Sequence, residues 1–256
     1  MKRFFNKLAP IAAIMLLGSG HAMAQKDTIL VHDLLLRVKP PIYIGITGGA
    51  SMPLGNFAKT NYSDSKSGFA ATGFDLGITG TYMFSKHWGI TGLASYTRYS
   101  SAGLENIAGG FVESFAVGDA TVKVKDDNHT FSYMVGADYS VSFCHHITVD
   151  LRAMTGLVHA QLAGYEVRLE DNTDGTFQQK PATANTIGFQ AGAAARYDFC
   201  KHFGVTLNLD YYYSKPDFTI ENVNRTNNAG RLLTSYSEPI AGINANLSLV
   251  YKFDRY

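Results

Sequence analysis

Cysteine, proline and tryptophan are scarce in this chain. Two cysteines, seven prolines and one tryptophan among 256 residues exclude a disulfide-stapled mini-scaffold and a proline-rich linker protein. An excess of charge of either sign is also missing. With 22 basic and 21 acidic residues the formal net charge is +1, so nucleic acid and other polyanions find no electrostatic footprint. Past the first two dozen residues no apolar run reaches the roughly 18 residues of a membrane-spanning helix, so no such helix holds the protein in an inner membrane. Glycine, at 25 residues, and aromatic side chains, at 12% of the chain, are plentiful, and this composition agrees with a β protein.

The opening residues have the order of an export signal. Lys2, Arg3 and Lys7 precede an apolar run from Leu8 to Leu17, and Ala22-Met23-Ala24 follows as a small-residue cleavage site. Residues 1–24 are therefore expected to be a removed signal peptide. No cysteine stands directly after the cleavage site, so a lipid anchor is not indicated. Residues 25–40 are expected to be a short periplasmic lead-in or plug, and residues 41–256 one sheet-based domain.

Within that domain, apolar and polar residues alternate with period two. Phe74, Leu76, Ile78, Tyr82 and Phe84 take one parity while Asp75, Thr79, Thr81 and Met83 take the other, the pattern of a strand with two different faces. The alternation returns over 133–143, 147–154, 187–199, 203–213 and 243–253. A weaker first strand begins at Ile42, and the third, from Trp88 to Tyr99, is the least clean in phase. Eight strands are expected.

A phrase recurs between them. "FSKH" at Phe84, "FCHH" at Phe143 and "FCKH" at Phe199 each stand where one strand ends and the next begins, so they read as tight hairpin turns. The other connections are long, roughly 51–68, 100–129, 170–185 and 214–238, and read as loops rich in Gly, Asn, Asp, Ser and Thr. An even strand number with short turns on one rim and long loops on the other is the plan of a membrane barrel. A soluble lipocalin-like barrel would alternate in the same way with its apolar face inward. The aromatics favour the membrane. Tyr82, Phe84, Trp88, Tyr139, Phe143, Tyr197, Phe199, Phe203, Tyr251 and Phe253 gather at the short-turn ends, and Tyr96, Tyr99, Tyr211 and Tyr213 near the other ends, forming two interfacial girdles.

In these features the chain resembles the Gram-negative eight-stranded outer-membrane β-barrel proteins of the OmpA-transmembrane-domain and OmpX/Ail kind. The resemblance covers about Pro41 to Phe253 and implies an all-β, eight-stranded antiparallel up-and-down barrel in the cell outer membrane, surrounded by its lipids. It further implies that Leu247, Leu249, Tyr251 and Phe253 of the closing "NANLSLVYKF" are the signal read by the barrel-assembly machinery. Asp254-Arg255-Tyr256 follow Phe253, which departs from the family's terminal aromatic, and the wall-tethering role of OmpA-like proteins is not implied.

Candidate chemistry is sparse. Some barrels of this kind modify lipid A with a paired His and Ser, but His159 has no serine two places away, and His129 and Ser132 differ in strand parity. A non-enzyme is expected, with no catalytic residue. Cys144, His145, His146, Cys200, His202 and His87 cluster in the turn phrases and have metal-binding chemistry, yet successive hairpins stand about 10 Å apart. No metal or other cofactor is expected, and the two cysteines are expected as free thiols. The polar parity places Asp75, Asp138, Asp150, Asp198 and Asp210 in the lumen with Arg152, Arg196 and Lys252. Such groups persist when paired, so a charge network filling a small lumen is expected, with a narrow pore as the alternative. The protein's role then falls to its long loops, in structure or surface contact with an extracellular ligand; candidate contact residues are Phe111, Phe115, Phe177, Phe218, Arg225, Arg231 and Tyr236.

Overall fold

A computed structural model describes residues 41–64, 66–143, 146–170, 175–224 and 231–253. The signal and lead-in expected over residues 1–40 lie outside the described residues, as do Cys144, His145, Arg225 and the three residues after Phe253.

Eight strands close into an antiparallel barrel. They are β1 (Ile42–Leu54), β2 (Ala70–Met83), β3 (Trp88–Ser101), β5 (Asn128–Ser142), β6 (Ile147–Leu162), β9 (Ala182–Asp198), β10 (Phe203–Ser214) and β13 (Ile240–Phe253). Each pairs with the next around the ring, and β13 returns to β1 from Ile42↔Phe253 to Leu54↔Ala241. Closure satisfies every wall strand on both sides, as a hydrocarbon environment demands.

The period-two pattern is resolved into an outside and an inside. Ile46, Leu157 and Leu207 are 69%, 67% and 61% exposed on the outer wall, whereas Thr47, Val158 and Asn208 beside them are buried. The apolar face therefore points outward, which rules out the lipocalin arrangement. An exposed apolar belt around a closed barrel and a polar lumen place the protein in the outer membrane. The third strand joins the same scheme, with one correction to the girdle: Tyr99 points inward and is 1% exposed, because it shares the parity of Thr91, Leu93 and Thr97.

Small residues let the wall curve. At Gly136 of β5 and Gly156 of β6 an added Cβ would run into the backbone carbonyl of the facing strand, that of Ala153 and Tyr133 respectively. Strands approach there too closely for any side chain.

The long connections are not simple loops, and this corrects the expectation. Between β3 and β5 lie a helix, α1 (Leu104–Phe115), and β4 (Ala120–Val124); between β6 and β9 lie β7 (Tyr165–Leu169) and β8 (Thr176–Gln179); between β10 and β13 lie β11 (Asp217–Asn224) and β12 (Arg231–Ser237). These five strands form a second sheet in the order β12-β11-β8-β7-β4, here called the crown. Its strands come from three different connections, so local sequence could not reveal their partners. Ile107 of α1 packs with Ala120, Val167 and Leu169 to give the crown its own apolar core. The wall strands are 12 to 17 residues long, more than the roughly 9–11 a membrane requires, and carry the crown above the outer interface.

Candidate functional site

The lumen is filled in three layers. At the short-turn end Tyr43, Met83 and Val250 form a small apolar cluster, level with the charged Asp198 and Lys252. Polar side chains occupy the middle, and an apolar plug of Phe57, Tyr99, Met134, Val158, Phe218 and Ile240 closes the top. The plug draws Phe57 from a 3-10 turn (Gly55–Ala58) and Phe218 from β11, so the connections themselves stopper the barrel.

In the middle layer Arg152 spans from β6 to Asp210 on β10. Its Nε donates to Oδ1 at 2.8 Å and a terminal nitrogen donates to Oδ2, a two-pronged pair. Arg196 lies 3.3 Å from Asp150, 3.8 Å from Asp198 and over the Tyr43 ring. Ser140 donates to Asp150 at 2.5 Å and reaches Asp138 at 3.2 Å. Asp75 accepts from Thr97 at 2.5 Å and from Asn246 at 2.6 Å. Of the eight charged residues read from the sequence, Arg152, Arg196, Asp150, Asp198 and Asp210 are thus brought into ion pairs. Asp75 and Asp138 are met by hydroxyl and amide donors and make no ion pair among the described residues, and neither does Lys252, at the short-turn end of β13. The void between these groups is about 30 Å³, room for one or two waters.

The repeated turn phrase acquires a structural reason. His87, His146 and His202 pack on Tyr139, Tyr197 and Tyr251 of the neighbouring hairpin at 5.9, 6.2 and 6.0 Å, the last pair stacked and the others tilted. The three histidine carbonyls accept from the next residue in each case, Ser140, Asp198 and Lys252, at 2.7, 2.9 and 2.8 Å. Each phrase therefore fastens its hairpin to the following one at the aromatic girdle. Cys200 is exposed, and among the described residues no His, Cys, Asp or Glu group is arranged to hold a metal.

Beneath the crown is a cavity of about 290 Å³. Tyr62, Phe69, Ile107, Tyr165 and Ile220 supply apolar wall from both sheets' connecting segments, and Ser67, Asp64 and Glu238 supply polar edge. Glu238 is fully buried. Its Oε2 accepts from the Tyr236 hydroxyl while Oε1 has no partner, and Ser67 Oγ is likewise buried without one. Burial pushes the Glu238 carboxyl up to about 7, with the nearby Asp64 charge adding to the rise. Asp64 itself is held below the usual carboxylate range by the Lys66 backbone N–H and by Lys59. Another carboxylate, Glu166 of β7, is drawn down to about 2 by Lys125 and Arg168.

A raised acid favours the folded state while it keeps its proton. The Glu238 contribution is therefore full below about pH 4.5 and is lost as pH rises through about 7. Amide exchange in β12 is expected to quicken from about pH 5 to about pH 8 beyond its intrinsic chemical dependence, and Glu238→Gln should flatten that excess. An unchanged excess in the variant would contradict the assignment.

The crown cavity escapes sequence reasoning. The sequence marks Tyr236 only as a loop contact, and Phe218, expected on the loops, is fully buried in the plug. Phe111 and Phe115 of α1 stack on each other, and Phe177 of β8 packs against both at a tilt, with centroids 4.9–5.8 Å apart.

No protein-family model matches the chain, and no curated protein does either. Solved structures resemble it in architecture. Ail, the attachment invasion locus protein of Yersinia pestis, is 14% identical over 84% of this chain and 100% of its own, with a TM-score of 0.42. Neisserial surface protein A is 14% identical over 83% and 97%, with a TM-score of 0.42. A major outer membrane protein from Thermus thermophilus is 11% identical over 84% and 99%, with a TM-score of 0.46. These values describe a shared plan and carry nothing about ligands.

Proposed function

We propose that this eight-stranded outer-membrane barrel is a closed, non-enzymatic protein that acts at the cell surface through its crown. The observation that carries this reading is the filled lumen, closed at its outer end by an apolar plug and ion-paired below it. Eight strands leave room only for side chains, and here long side chains take that room. A passive pore would need a continuous wetted path, whereas Phe57, Tyr99 and Phe218 block the outer end and are each 0–1% exposed.

The histidines support the non-enzymatic reading. His159 Nδ1 is engaged with Asn185 Oδ1 at 2.8 Å on the outer wall. Ser132 is buried on the lumen side, whereas His129 packs against Tyr96 at a tilt and meets Phe131 edge-on outside. Among the described residues neither histidine is hydrogen-bonded to the serine and carboxylate that a lipid-modifying triad requires. On β13, Leu247 and Leu249 face outward at 60% and 55% exposure, and Phe253 at 42%. With Tyr251 they form one row that suits capture by the barrel-assembly machinery and then contact with outer-membrane lipids.

Planar-bilayer recording tests the reading. The wild-type protein is expected to give no steady conductance above the bare membrane. A large, stable, ohmic conductance would overturn the closed-lumen assignment and make the protein a pore.

A further inference from the structure

We infer that the cavity beneath the crown is a binding site for a small amphipathic cation, an ammonium group carried on one aromatic ring or a short alkyl body. This inference deepens the reading of the crown as the acting surface and rests on it.

The size comes first. About 290 Å³ is at the lower end for small-molecule sites, enough for an amine with one ring and too little for an oligosaccharide or a lipid tail. The walls then set the body of the ligand. Tyr62 and Phe69 from the β1–β2 connection, Ile107 from α1, Tyr165 from β7 and Ile220 from β11 converge on this space. Because four separate segments hold them, the site is formed before anything binds, which lowers the ordering cost of binding.

The polar edge sets the charge. Glu238 is 0% exposed with Oε1 unpartnered, and the unpartnered Ser67 Oγ borders the same cavity. Once ionised, Glu238 has a buried carboxylate oxygen without a donor, which is costly; an ammonium N–H supplied by a ligand removes that cost, so binding is measured above pH 7. Among the described residues no lysine, arginine or histidine borders the cavity, while a second carboxylate, Asp64, does, ion-paired outside it with Lys59. An anion would meet repulsion there. Tyr62, Tyr165 and Tyr236 also line the cavity, and tyrosine rings attract cations. Water could satisfy Oε1, but it would leave the apolar walls wetted, whereas an amphipathic cation satisfies both at once.

The test is calorimetric titration of the outer-membrane protein in nanodiscs with phenethylammonium, phenethyl alcohol and phenylacetate, each corrected against empty nanodiscs. Saturable binding is expected for the ammonium ion, at least about ten-fold weaker binding for the alcohol, and none for phenylacetate, since a charged hydrogen bond is worth one to two decades in affinity. Glu238→Gln should weaken ammonium binding at least about ten-fold, and Ala163→Phe, placed at the cavity wall, should abolish it by filling the space. Equal or tighter binding of phenylacetate, no saturable ammonium binding, or unaltered affinity in Glu238→Gln would overturn the inference. If Glu238→Gln fails to fold, the three-ligand series on the wild-type protein and Ala163→Phe still decide. Conductance with intact amine binding would sink the closed lumen alone, and absent amine binding without conductance would sink the site alone.

Discussion

Replacing Arg152 by alanine is expected to lower the barrel's stability by about 3–5 kcal/mol, the cost of breaking a buried ion pair from one side. Asp210 is 1% exposed and takes both prongs of Arg152, so the variant leaves a carboxylate with no cation in a lumen that holds more acids than bases. Arg196 sits 3.3 Å from Asp150 and 3.8 Å from Asp198, and would have to leave them to reach Asp210. Arg152→Lys should recover only part of the loss, since an ammonium cannot make the two-pronged contact. The measurement is urea unfolding in detergent, followed by the heat-dependent shift in gel mobility. A loss below about 1 kcal/mol would mean that water reaches the site and screens the charge.

The second large effect is at the plug. Phe218→Ala is expected to cost about 3–5 kcal/mol, in line with large-to-small changes of buried aromatic residues. Phe218 is 0% exposed and packs in one cluster with Phe57, Tyr99 and Ile240. Phe57 and Tyr99 meet edge to face at 5.0 Å, so the cavity left by Phe218 has a rigid lining that collapses poorly. Because Phe218 belongs to β11, which pairs with both β12 and β8, its loss should also loosen the crown, seen as faster amide exchange in β11 and β12. Conductance should stay negligible in this variant, since the ion-paired layer lies below the plug. A stable protein with an unchanged crown would show that Phe218 is a bystander and that closure rests on the other aromatics.

Much of the barrel was legible because each wall strand carries its own signal. Leu247, Leu249 and Phe253 against Asn246 and Ser248 announce a strand with one lipid face and one lumen face, and no distant residue is needed to read it. The short turns announced themselves by repetition at Phe84, Phe143 and Phe199. The parity of the lumen charges followed for the same reason. Their partners followed only in part: Arg196 lies 3.8 Å from Asp198 two places away, but Arg152 meets Asp210 over Gly192 of the intervening β9, not Asp150 on its own strand.

The crown was not legible at all. β4, β7, β8, β11 and β12 are 4 to 8 residues long, and their alternation is too brief to separate from loop sequence. Glu238 and Ser67 stand far apart in sequence, and nothing local to either marks a shared cavity. The placement of Tyr99 had the same cause: an aromatic near a strand end suits a girdle or a plug equally, and only the phase of β3 in the closed barrel decides which. By itself, then, the sequence determined what period two can determine: the strands, their turns, the membrane-facing side and the charged lumen row. Ion-pair partners, the apolar plug, the crown and its cavity were decided only by the tertiary structure, because each depends on segments brought together across the ring by barrel closure and not on any pattern within one strand.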